Sequence, residues 1–403
     1  MNHERPATAH RLWSQLRERA EPPRSAWIEL DLARWRRNYR LIQSVLTAGV
    51  ELGAVVKDEA YGHGLLAAAA IALESGVKFL AVSTLEEAAS LRDHGVKASI
   101  LLLGERLESE LPSCLALAVI CCVGEPHIIT RLARLAADAG RRVPVHLKIN
   151  TGLNRYGVRW DRVGPVAELI RAAPALELAG TFSHFAQSDE LDKTYAREQL
   201  ARFGAALRTL TAQGVPVGLR HLCNSGGFLD LPSAHFDLVR LGLLPLGVFP
   251  SAVCRRLPGI EPVMSVKARI TAIQHLRPGE HVGYGMRYTA TEPRRIAVLP
   301  IGYGDGFPRV RNLGHVLIRG QRAPVIGGVS MDAVTVDITQ IPAAMHSDVA
   351  VLLGQQGDQE ISVHELAALK NSAAYDILCG WRRRLPRQYV EDQLPSFVQT
   401  LAA

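Results

Sequence analysis

Residues 51–84 read ELGAVVKDEAYGHGLLAAAAIALESGVKFLAVST, and the order of patterns within them decides the fold. ELGAVV is a short apolar run of strand length that stops at Lys57. YGHG supplies a glycine-containing turn, GLLAAAAIALESG is an alanine-rich helix, and FLAVST is a second strand. Two strands joined through a helix lie parallel in one sheet.

The same alternation runs outward in both directions, from Trp27 to about Pro258. AWIEL and a helix ending at Gly49 precede it. SILLLG, AVICCV, HIITRLARLAADAG, PVHLKI, ELAGTFSHF, ARFGAALRTLTAQG, GLRHLC and FDLVRLG follow. A doubly wound open sheet and a closed eight-stranded barrel both fit this order. An open sheet offers one crevice, whereas a barrel gathers every strand's C-terminal end at one mouth. Lys57, Lys148, His184, Asn224 and Arg240 all fall at strand ends, which favours the barrel. Beyond residue 260 the pattern changes to short strands broken by Pro, Gly and Asp turns. The chain therefore reads as α/β: an N-terminal extension over 1–25, a (β/α)8 barrel over 26–260 and a mostly antiparallel β domain over 261–403.

With 403 residues, 48% hydrophobic and 21% charged, the chain reads as an ordinary soluble globular protein of two domains, and its sparse cysteines fit reduced thiols in a cytoplasmic protein. No run reaches the roughly 18 apolar residues of a membrane span, and the N-terminus lacks the apolar stretch of a secretory signal. That N-terminus could instead form a short amphipathic helix ended by Pro22 and Pro23. The net charge of +7 gathers at the ends, at Arg11, Arg17, Arg19, Arg24, Arg382, Arg383, Arg384 and Arg387. No nucleic-acid-binding motif accompanies these residues, so they read as solvated charge. Six cysteines show neither a zinc spacing nor a disulfide framework, so no metal is expected.

Lys57 is the first residue that calls for chemistry, because strands seldom bury a lysine. Alone it is a snorkelling strand-end lysine or an amine desolvated to be nucleophilic. Its surroundings, VVKDEAYGHG, resemble the cofactor-attachment motif of the alanine racemase family, a group of pyridoxal-phosphate enzymes. HLKINTGLNRYGV, FSHFAQSDE, HLCNSGG, VRLGLLPLG, HVGYGMRYTA, IGYGDGFPR, GVSMD and YDILCGWRRRLPR follow in the family's order, covering about Trp27 to Val390.

The resemblance implies pyridoxal phosphate attached to Lys57, with Tyr61, Ser225, Tyr375 and the backbone at Gly242 and Leu243 around its phosphate. Asn224 is a positioning residue, and His63 and His221 have supporting roles. Arg240 matches the arginine facing the pyridine nitrogen, where a guanidinium donates a hydrogen bond without giving up its proton. Arg155 matches the contact to the cofactor's phenolic oxygen and the substrate carboxylate, and Lys148 a lysine often carbamylated. Racemisation needs a base on each face of Cα. Lys57 serves one face; Tyr284 of the partner subunit in a homodimer serves the other, linked to Arg240 by His184. Tyr303, Met331 and Asp332 complete the substrate pocket from that same subunit. Tyr303 stands nineteen residues after Tyr284, the family's interval.

The expected activity is interconversion of L- and D-alanine for peptidoglycan. The alternatives are a racemase of serine or a broader amino-acid range, a decarboxylase on the same barrel, or a non-enzymatic pyridoxal-phosphate carrier. Departures from the family pattern fall at Asp58 and Glu59, where Ala and Asn are usual, and at Asn150, Leu246 and Gly328. Strand alternation predicts that Asp58 turns away from Lys57 while Glu59 tilts toward it.

Overall fold

The structure, a computed structural model, describes residues 7–15 and 22–391. Eight parallel strands form the barrel: β2 (Glu51–Val55), β3 (Phe79–Val82), β4 (Ser99–Leu102), β5 (Cys121–Val123), β6 (Val143–Asn150), β7 (Leu176–Phe182), β8 (Leu219–His221) and β9 (Leu238–Leu241). Neighbours along β2–β3–β4 and β5–β6–β7–β8 are paired in parallel. A bridge between Leu101 and Ile120 joins the two runs. The Arg240 amide donates to Cys223 O at 3.0 Å, and β9 pairs with β2 at Arg240 and Gly53, so the ring closes. These strands are buried on both sides, which explains their near-continuous Val, Leu and Ile content.

The first strand, β1 (Ala26–Asp31), does not enter this ring. It pairs antiparallel with β10 (Met264–Arg269), Ile28 opposite Val266, and parallel with β17 (Arg387–Val390), Ile28 opposite Arg387. The barrel boundary drawn at residue 26 therefore places β1 in the wrong sheet. Periodicity identifies a strand but does not name its neighbours. After β10 come β11 (Ala272–Leu276), β12 (Arg294–Leu299), β13 (His315–Ile318), β14 (Gln321–Pro324), β15 (Val334–Asp337) and β16 (Val349–Gln356). One sheet runs β14–β13–β16–β10–β1–β17 and a smaller one β11–β12–β15, antiparallel except where β17 meets β1.

The chain ends carry less free charge than composition suggests. Arg24 grips the fully buried Asp305 at 2.6 and 2.9 Å. Arg384 pairs with Asp332 at 2.5 Å, and Arg387 donates twice to Gly62 O, at 3.2 and 3.0 Å. Solvated charge is thus the wrong reading for Arg24 and Arg387, whereas Arg384 and its partner Asp332 remain exposed; Arg17 and Arg19 lie outside the described residues. The N-terminal helix α1 spans Ala7–Gln15 and α2 spans Leu32–Val45; Leu12 within α1 is fully buried. Among the described residues no helix is long and apolar enough to cross a membrane.

Candidate active site

β2 ends at Val55, two residues before Lys57, so strand alternation does not reach the lysine. The backbone turns instead into a left-handed coil, with φ between 50° and 53° at Asp58, Glu59, Ala60 and Tyr61. Such a conformation costs about 1–2 kcal/mol per residue and persists only where neighbours hold it. Glu87 accepts from the Asp58 amide at 2.5 Å and from Ser83 and Thr84 at 2.8 and 3.1 Å, tying the turn to the end of β3. The buried His63 uses Nδ1 on Ala60 O and Tyr61 O, at 3.1 and 3.0 Å. From the β domain, Arg387 holds Gly62 O.

The expectation for the two carboxylates changes accordingly. Glu59 does not tilt toward Lys57; it accepts from the Leu65 amide at 3.1 Å and pairs with Arg383. Asp58 sits against the Cys379 thiol, which burial and then Asp58 push up to about 12. Burial, with Arg155 next, holds the Lys57 amine below its ordinary range, against smaller opposing effects of Cys379, Glu87 and Asp58.

Lys57 opens into a cavity of about 360 Å³ at the barrel mouth, lined also by Tyr61, Lys148, Arg155, His184, Asn224, Ser225, Arg240, Gly242, Leu243 and Tyr375. All ten were singled out from sequence; nine come from the barrel domain, and Tyr375 comes from a helix, Ala374–Gly380, of the C-terminal domain. On its floor lies Phe182, fully buried, with the Lys148 amine 4.1 Å and the Arg240 guanidinium 5.3 Å from the ring centroid. His221 stacks on the same ring at 4.8 Å.

Arg240 organises the floor. It donates to Ser183 O at 2.9 Å, Leu222 O at 3.3 Å, His221 Nδ1 at 2.7 Å and His184 Nδ1 at 3.2 Å. Arginine has no acceptor, so both imidazoles accept at Nδ1 and carry their proton on Nε2. His221 Nε2 then donates to His146 Nδ1 at 2.9 Å. Burial, with Arg240 next, holds His184 and His221 well below their ordinary range, so both rings are neutral. Burial pushes Arg240 itself down to about 10, which leaves it protonated at neutral pH. The Lys148 amine falls further, to about 7, through burial and then Arg240.

Elsewhere in the same cavity, hydroxyls and glycine backbone come together. A Cβ on Gly242 would lie 2.5 Å from the Tyr61 hydroxyl, so only glycine permits that approach. The Tyr61 and Tyr375 rings lie 6.0 Å apart, and Ser225 Oγ is 3.3 Å from the Leu244 amide. Asn224 caps the helix Ser225–Asp230, accepting from Gly227 N at 2.9 Å. Hydroxyl donors and unencumbered backbone on one wall suit a phosphate. A guanidinium at the floor suits a pyridine nitrogen, and a partly desolvated amine suits covalent attachment. The residues present fit pyridoxal phosphate.

The β-domain candidates stand elsewhere. Tyr284 is 84% exposed and Met331 52% exposed. Among the described residues neither these nor Tyr303 and Asp332 line the cavity of their own chain. Sequence reasoning missed Ser83, Gly104, Arg106, Tyr156 and Phe182 as lining residues. Phe182 was visible within FSHF and Arg106 just after SILLLG, but an aromatic or a cation at a strand end has no signature of its own. The departures are also clearer. Asn150 accepts from the Gly152 and Asn154 amides at 3.0 and 3.1 Å and donates to Asn154 Oδ1 at 3.1 Å, which an aspartate could not do. It thus shapes the loop that presents Arg155. Leu246 lines a separate cavity of about 270 Å³ between the domains, not the cofactor recess.

Residues 30–250 match the family model for the alanine racemase N-terminal domain, and residues 263–389 that for its C-terminal domain. The chain belongs to the alanine racemase family. It is 39% identical to an alanine racemase of Syntrophobacter fumaroxidans over 88% of this chain and 95% of that one. An alanine racemase of Symbiobacterium thermophilum is 37% identical over 91% and 97%. The solved alanine racemase of Bacillus anthracis with bound L-Ala-P superposes with a TM-score of 0.87 at 31% identity, over 93% and 97%. That of Bartonella henselae, with covalently bound pyridoxal phosphate, gives 0.83 at 25% identity, over 91% and 100%.

Proposed function

We propose that this chain interconverts L- and D-alanine with pyridoxal phosphate as cofactor, acting in the cytoplasm as a homodimer that supplies D-alanine for peptidoglycan. The observation that carries the reading is Arg240: a buried, protonated guanidinium at the cavity floor, bonded only to carbonyls and neutral imidazoles. A carboxylate in that place would strengthen the ring as an electron sink and favour decarboxylation or transamination; an arginine favours return of the proton to Cα.

When bound, pyridoxal phosphate withdraws electron density from the substrate's Cα and so makes its proton removable. Tyr61, Ser225, Tyr375 and the backbone of Gly242 and Leu243 hold the phosphate. Lys57 anchors the cofactor and serves as base on one face of Cα. Its lowered affinity for a proton, from burial and Arg155, helps it exist as a free amine. Tyr284 of the partner subunit serves the opposite face. A phenol titrates near ~10, and His184, whose Nε2 keeps the proton, can donate to the phenolic oxygen and stabilise the phenolate. Arg155 receives the substrate carboxylate, and a carbamate on Lys148 orients Arg155. Tyr303, Met331 and Asp332 of the partner subunit close a pocket sized for a methyl side chain. On this reading the barrel, with Tyr375 of the C-terminal domain, binds the cofactor, and the C-terminal domain of the partner subunit supplies the second base.

The test is incubation with L- and D-alanine in heavy water, following deuteration at Cα and loss of optical rotation. Both enantiomers are expected to exchange and converge on a racemic mixture. Release of carbon dioxide, or a clear preference for a long basic substrate, would overturn the proposal.

A further inference from the structure

The family match begins at residue 30, so helix α1 belongs to the part of the chain outside it. The helix is nonetheless built into the molecule. It packs on helix α3 (Leu65–Glu74), which follows directly from the lysine turn through Gly64. Ala9 and Leu12 are fully buried, so α1 adds apolar surface to the main core.

Trp13 touches both ends of the same structural corner. Its indole N–H donates to Glu74, at the C-terminal end of α3. Arg36 holds the other oxygen of that carboxylate at 2.8 Å, and its guanidinium lies 6.0 Å from the Trp13 ring centroid. The edge of the Trp13 ring meets Tyr389 of β17, centroids 6.0 Å apart at 76°. Tyr389 in turn reaches the N-terminal end of α3: its hydroxyl would stand 3.0 Å from a Cβ on Gly64. From the same strand Arg387 binds Gly62 O. Gly62 and Gly64 both adopt positive φ, 82° and 101°, and they close the left-handed turn that begins after Lys57. That turn is strained, so its geometry depends on what presses on it.

We propose that Trp13 is a positioning residue for Lys57, acting through Tyr389 and helix α3 on the turn that aims the lysine amine. The inference rests on Lys57 being the cofactor lysine, as proposed above. Its effect belongs in cofactor retention and in the protonation of Lys57 more than in global stability, because Trp13 is only partly buried and packs at the edge of the main core.

The test compares Trp13→Ala and Trp13→Phe in the full chain. In Trp13→Ala, affinity for pyridoxal phosphate, read from the visible absorbance of the bound cofactor, is expected to fall about tenfold, equivalent to one decade in Kd. The alkaline limb of that absorbance should move with it, kcat should fall several-fold and KM for alanine should change little. Trp13→Phe, which keeps the ring contact to Tyr389, should recover most of the loss. Wild-type cofactor affinity, pH profile and kcat in Trp13→Ala would overturn the inference, whatever its Tm. If Trp13→Ala does not fold, the cycle of Trp13→Leu, which removes the ring contact, with Tyr389→Phe, which removes the hydroxyl beside Gly64, decides: coupled effects on cofactor affinity support the relay, and additive ones refute it. Cofactor affinity is measured without substrate, so this inference can fail while racemisation stands, or survive a different substrate.

Discussion

At the barrel mouth Lys148, Arg240 and His221 are buried and interlocked, whereas Tyr284 and Met331 of the β domain project into solvent. On the proposed function the two regions carry halves of one chemistry, yet they obey different constraints. The cavity groups of the barrel half come together within a single chain: Lys148 and Arg240 from strands, Tyr61 from the turn after Lys57, and Tyr375 from a C-terminal helix. The β-domain half presents large apolar side chains at exposed loops, an arrangement that marks surface waiting to be covered. On the proposed function, a folded, well-packed chain still holds an unfinished catalytic centre, which a second copy finishes.

The strongest way to break this comparison is to divide the two bases between chains. Lys57→Ala and Tyr284→Phe homodimers should each lose about 10³-fold or more in racemisation. Mixed under conditions that exchange subunits, they should regain about a quarter of wild-type activity, because half of the dimers then carry one intact site of two. No recovery in confirmed heterodimers would remove the shared site.

The next effect lies on the barrel side. Carbon dioxide adds only to a neutral amine, and the Lys148 amine is held at about 7. Enzyme stripped of bicarbonate should therefore regain activity on adding it at pH 8 and barely at pH 6. Lys148→Gln should lose about tenfold and ignore bicarbonate. Equal recovery at both pH values would separate the carbamate from activity.

Acid should expose a further contrast. Burial holds His63 at about 4 in the folded chain, against 6.5 for a free imidazole. The unfolded state then binds more protons between those values, so stability contributed by the neutral ring is present above pH 6.5 and lost as pH falls toward 4. His184 and His221 shift in the same direction. Urea midpoints should fall steeply over this window, and a flat profile would contradict the buried neutral rings. The smallest effect is expected at Arg383, whose side chain is 83% exposed where it meets Glu59. Arg383→Ala should change stability by less than about 1 kcal/mol.

Much of the barrel side was legible in the sequence because its chemistry sits at strand ends, where a lysine or arginine interrupts an apolar run. Lys57, Lys148 and Arg240 announce themselves in that way. What the sequence hid was tertiary. Nothing in AWIEL says that β1 joins β10 and β17 rather than the barrel. The left-handed path after Lys57 was equally hidden, since Asp58, Glu59, Ala60 and Tyr61 are residue types that favour right-handed or extended backbone. That path sent Glu59 toward Arg383 instead of toward the lysine. Trp13 was invisible for a related reason: its partners Glu74 and Tyr389 are distant in sequence.

The left-handed coil between Asp58 and Tyr61 sets stability and reactivity at odds. Ala60→Gly would relax a backbone that an L side chain enters reluctantly, and the molecule as a whole would tolerate heat better. The same change would loosen the aim of the amine three residues away, because the tension that glycine removes is what keeps the pointer steady. Selection for a sturdier protein and selection for a faster one would therefore pull this short segment in opposite directions.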